Sequence, residues 1–151
     1  MASTLTSLLP QSEGWLPSWL LFTSLISIFN TIQSYTSTTL TARVYNPNPP
    51  PSSSTTAAAL QPTQVTPLTG RLFGTWTLLA AVIRLYGAYY ISEKPVYELA
   101  MAAYAVAWAH FMSEWWVFGT TRWGMPIAGP AFISTGTLAW MVLQREFYLG
   151  L

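Results

Sequence analysis

The sequence predicts an all-α protein: an integral membrane bundle of four transmembrane helices, with a long flexible linker between helices one and two. Three observations predict it. Only 7% of the 151 residues are charged, against about 25% in a typical soluble protein, and so few charges cannot cover a water-facing surface. Four segments each approach the roughly 20 mostly apolar residues that span about 30 Å of hydrocarbon. Eight Trp, eight Tyr and seven Phe are numerous enough to form aromatic belts at membrane interfaces. The whole chain, 1–151, reads as one such domain.

The first span covers about 15–35, with Pro17 in its first turn, where a missing N–H costs little. No Lys or Arg precedes it, so it reads as a retained span and not a cleavable signal. A linker of about 41–69 follows, containing NPNPPPSSSTT. It is rich in Pro, Ser and Thr and has no apolar period, which predicts a flexible or polyproline-like segment outside the bilayer. The second span covers about 71–91, the third about 95–118 with Pro95 at its start, and the fourth about 125–147 with Pro126 near its start. Pro130 is a candidate kink in the fourth. Short connections, SEK near 92–94 and GTTRWG at 119–124, make spans two, three and four antiparallel neighbours. The N-terminal side is called A and the other side B; the small Lys/Arg imbalance tilts toward side B being cytoplasmic.

Polar residues inside the spans can be placed by depth. Asn30, Gln33, Arg71, Thr75, His110, Ser113 and Glu114 fall toward side B, and bundle packing could make them one cluster. The tight turn sets His110 level with Trp76, and Glu114 level with Arg71 or Leu72. A second intramembrane pair is Arg84 with Glu98, the arginine snorkelling toward side A. The small residues around Arg84 (Thr77, Ala80, Ala81, Gly87 and Ala88) suit a close helix–helix contact.

The stretch AHFMSEWWVFGT holds the only histidine, and Glu114 follows His110 by one helical turn. That spacing admits an acid–base pair, a proton site or half of a metal site. The reading favoured is an interhelical hydrogen-bond pair, closed by Arg71. There is no Cys and no Asp, so three convergent metal ligands are hard to assemble, and no metal or other cofactor is expected. The net charge of +1 gives no reason to expect a nucleic-acid partner.

Three blocks carry a family resemblance: FNTIQSY at 29–35, GRLFGTWTLLAAVIRLYGAYY at 70–90 and AHFMSEWWVFGT at 109–120. In order and spacing they resemble the ergosterol biosynthetic protein 28 family, over roughly residues 15–135. The linker looks longer than is usual there, and the chain lacks the basic C-terminal tail of some members. The resemblance implies a multi-pass, non-catalytic scaffold of the endoplasmic reticulum membrane. Its implied partners are the sterol C-4 methyl oxidase, the C-4 decarboxylating sterol dehydrogenase and the 3-ketosteroid reductase. Membrane lipid is the surrounding solvent, and direct sterol binding and a homo-oligomer stay open. Two alternatives stand beside it: an intramembrane sterol isomerase using His110 and Glu114 as acid and base, and a small four-helix transporter with Glu114 as its proton site.

Overall fold

The computed structural model describes residues 7, 9–45 and 64–150. These residues form four long helices, α1 (Leu16–Thr36), α3 (Pro67–Tyr89), α4 (Lys94–Trp116) and α5 (Met125–Leu143). Two short helices join them, α2 (Thr39–Val44) and α6 (Arg145–Leu149). No strand is found among the described residues. Two helices, α3 and α5, are long and apolar enough to cross a membrane by length and composition.

Each long helix carries a proline at its first or second position, where the fixed φ favours helix and no intrahelical bond is lost. At the start of α3, Thr66 and Thr69 form a reciprocal cap: the Thr69 amide donates to the Thr66 hydroxyl at 3.2 Å, and the Thr66 amide donates to the Thr69 hydroxyl at 2.7 Å. This cap starts α3 four residues earlier than the expected 71. The helix occupies the last residues of the segment read as linker. The first residues of that segment are helical too, in α2, where the Thr41 hydroxyl contacts Ser34. The rest of the linker, 46–63, lies outside the described residues. The fourth span is shorter than expected: α5 ends at Leu143 and the chain turns at Gln144 into α6. Pro130 lies inside α5.

The helices run up, down, up and down. Side-chain contacts fix the antiparallel pairs: Ser24 and Thr31 of α1 donate to the Ala81 and Gly74 carbonyls of α3 at 2.8 and 3.2 Å. The Trp76 ring of α3 lies 5.3 Å from His110 of α4, the register expected from the tight turn. Tyr97 of α4 donates to the Met141 carbonyl of α5, and Trp115 packs against Trp123 just before α5, the rings tilted with centroids 4.8 Å apart. The fourth side closes where Trp19 of α1 donates to Thr137 of α5 at 2.8 Å.

Burial in α1 is inside-out for a water-soluble helix. Thr23, Ser24, Ser27, Thr31 and Ser34 are buried, at spacings of one helical turn, whereas Phe22, Leu25, Ile26, Phe29 and Ile32 are exposed. A helix in water does the reverse, because its apolar stripe drives packing. The buried hydroxyls bond back to the backbone one turn earlier or across to α3, so the polar face is satisfied within the protein. On α3 the facing surface is made of Gly70, Gly74, Thr77, Ala81 and Ala88, which lets the two backbones approach closely. A Cβ at Gly74 would sit 2.9 Å from the Tyr35 ring and 3.2 Å from the Ser34 Cβ. The small residues expected around Arg84 are all buried in this packing.

The remaining core sits at the side A end. Leu16, Leu20, Ala88, Ile91, Tyr97, Ala100, Tyr104, Met141 and Tyr148 pack together there.

Candidate functional site

The structure divides the expected side B cluster into separate groups. The first centres on His110, near the end of α4. The Tyr45 phenol, just after α2, lies 2.7 Å from His110 Nε2. Burial, and secondarily the Glu114 carboxylate, push the Tyr45 phenol up from its ordinary pKa, so it stays neutral. The other ring nitrogen, Nδ1, faces Glu114 Oε1 at 3.9 Å. The other carboxylate oxygen, Oε2, accepts a short hydrogen bond from the Thr120 hydroxyl. The Thr120 amide also donates to the Glu114 carbonyl at 3.0 Å, closing the last turn of α4. Trp76 and Phe111 pack around the imidazole, with ring centroids at 5.3 and 5.2 Å. His110 and Glu114 are thus tied to Tyr45 and to the 119–124 connection. Arg71 does not close the pair: it is exposed, and among the described residues its side chain has no ion-pair partner.

Thr75 belongs to a second group. Its hydroxyl bonds the Arg71 carbonyl at 2.9 Å and meets the Tyr35 phenol at 2.6 Å, stitching α1 to α3. Ser113 turns back onto the His110 carbonyl at 2.9 Å. Asn30 and Gln33 meet neither His110 nor Arg71; they line a cavity between α1, α2, α3, α4 and α5.

The cavity measures about 520 Å³. Its walls are mainly apolar and aromatic, including Phe29, Phe73, Trp76, Phe111 and Ile133. Arg84 also lines it, which corrects the expected pair with Glu98. The guanidinium turns inward: Nη1 donates to the Ser27 hydroxyl at 2.7 Å, and Cζ lies 4.4 Å above the Tyr104 ring. Tyr104 shares its hydroxyl with Thr23 at 2.6 Å. Glu98 is held instead by Arg145, at 2.7 Å. The turn at Gln144 swings Arg145 back over α4, giving Glu98 a nearer cation than one sunk in the bundle.

Tyr45, Tyr104 and Ser27 lie outside the residues singled out from sequence, and Thr120 stands in the AHFMSEWWVFGT block without a role assigned to it. Tyr97, Tyr104 and Phe111 recur every seven residues, a readable signal for one buried face of α4. Tyr45 stands inside a segment whose composition reads as linker, and no local pattern marks it. Among the described residues, no three of His, Cys, Asp and Glu come together as a metal site. Chemically, the His110 group is a hydrogen-bonded clasp between segments, and the Arg84 cavity is a mainly apolar space with a guanidinium in its wall.

Comparison with known proteins matches residues 16–139 to the family described as Erg28 like protein. A Candida albicans relative, "Ergosterol biosynthetic protein 28", is 46% identical over 145 residues, 95% of this chain and 96% of the relative. The Saccharomyces cerevisiae protein of the same name is 42% identical over 151 residues, 99% of this chain and 93% of its own. The human "Ergosterol biosynthetic protein 28 homolog" is 31% identical over 133 residues, 87% and 86% of the two chains. No solved structure matches.

Proposed function

The chain belongs to the Erg28-like protein family, and from that premise we propose that it is a non-catalytic membrane scaffold of ergosterol biosynthesis. In this reading all four long helices cross the endoplasmic reticulum membrane. The bundle tethers the sterol C-4 methyl oxidase, the C-4 decarboxylating sterol dehydrogenase and the 3-ketosteroid reductase.

The observation that carries the reading is how the His110–Glu114 pair is used. The imidazole is engaged by Tyr45 and the carboxylate by Thr120, so both groups hold the chain's own segments. The isomerase alternative needs a second acid beside His110. Glu98 is twelve residues earlier on α4, about 18 Å along the axis, and is held by Arg145. The inverted pattern of α1 supports a fourfold crossing: its hydroxyl face lowers its overall hydropathy while its outer face stays apolar. Those outer faces, with exposed Phe, Leu and Ile, are available to lipid and to partner helices. Holding enzymes together raises the effective concentration of each at the others' intermediates.

Affinity capture of the protein in a gentle detergent tests the proposal. All three enzymes should be recovered together; recovery of none of them sinks it.

A further inference from the structure

Arg84 is the one cation sunk in the middle of the bundle, and the chain supplies no acid to neutralise it. The sequence has no Asp and five Glu. Glu98 is held by Arg145, and Glu114 by His110 and Thr120. Glu13 precedes α1, Glu93 caps the start of α4, and Glu146 lies in α6, all at the side A end. The guanidinium keeps one hydroxyl and one aromatic face, and its buried Nε has no partner among the described residues. An unneutralised cation inside a low-dielectric bundle is costly, and such residues mark binding sites or pathways.

The space in front of it suits an elongated molecule. The cavity runs along α1 from Thr23 to Gln33, about 15 Å by helical rise. Its volume of about 520 Å³ and mostly apolar walls fit a small-molecule site with few polar anchors. We propose that the cavity binds an amphipathic carboxylate, its acid group on Arg84 and its apolar body between Phe29, Phe73, Trp76, Phe111 and Ile133. A guanidinium offers a carboxylate two parallel N–H donors, and Nε is one of the usual pair. The cavity is walled by residues of α1 to α5 and partly open to the outside, and its volume matches a free small molecule, so a free carboxylate is favoured over one carried on a partner's helix. Two sources share this chemistry, a fatty acid and a polycyclic lipid acid. The site does not depend on the tethering role.

The test is equilibrium binding to the full chain in neutral phosphatidylcholine nanodiscs. The probe is tritiated 5β-cholanic acid, competed by its methyl ester, oleate or ergosterol. The acid should bind saturably and at least about tenfold more tightly than the ester, the scale of a charge-assisted contact. Arg84→Gln should abolish that preference. Gly129 lines the cavity and a Cβ there meets nothing within 4 Å, so Gly129→Phe adds bulk at the cavity wall and should weaken acid and ester alike. Oleate competing as well as cholanic acid identifies a fatty-acid source, and a clear preference for cholanic acid a polycyclic one; both support the site. Equal affinity of acid and ester in the wild type overturns it. So does the absence of saturable binding, which would leave Arg84 to a carboxylate from a partner protein. The wild-type comparison decides the matter even where Arg84→Gln fails to fold.

Discussion

Tyr45 and Thr120 give the His110–Glu114 pair its character: the phenol engages Nε2 of the imidazole and the Thr120 hydroxyl engages Oε2 of the carboxylate. A double-mutant cycle of Tyr45→Phe and His110→Phe, read by unfolding in detergent, should give a coupling of about 0.5–1.5 kcal/mol, the range of a net intramolecular hydrogen bond. The phenol also predicts a pH dependence. Its pKa is raised on folding, so the unfolded chain loses the proton first. The stability it lends is full below pH of about 10 and falls as pH rises above that, and Tyr45→Phe should flatten this alkaline decline relative to the wild type. Sequence showed His110 and Glu114 one turn apart and set His110 beside Trp76, because a tight turn fixes the register of its two helices. Depth alone does not fix rotation about a helix axis, which is why Arg84 was assigned to Glu98 when it turns inward to Ser27 and Tyr104.

The α1–α3 pair is the most extensive helix contact among the described residues, and it rests on small residues facing hydroxyls. Gly74→Leu should force the two helices apart and cost about 1–3 kcal/mol, the range for overpacking a tight interface. Gly136→Leu is the control, since a Cβ there meets nothing within 4 Å; both are read in the same unfolding assay. The four long helices were legible because each carries an apolar run opened by a proline. The α2 helix was not: six residues beside a proline-rich run hold no helical period of their own. They gain order from tertiary contacts, Thr41 on Ser34 within the segment and Tyr45 on His110 and Phe73 beyond it.

At the scale of the whole molecule, burial is organised for an apolar surrounding. In α1, hydroxyls face inward while Phe22, Leu25, Ile26, Phe29 and Ile32 face outward, and the proposed reading of four crossings puts the ends of neighbouring helices alternately on two sides. Single cysteines at Gln11 and Glu93 should label from one face of a sealed vesicle, and those at Arg43 and Arg122 from the other. Labelling of Gln11 and Arg43 from the same face would mean that α1 does not cross. The central claim is that this bundle serves sterol C-4 demethylation by binding and not by catalysis, and the sterol profile of cells lacking the protein tests it most directly. The account predicts accumulation of C-4-methylated or C-4-carboxylated sterols. Accumulation of Δ8-sterols with C-4 demethylation intact would contradict it and point to an isomerase.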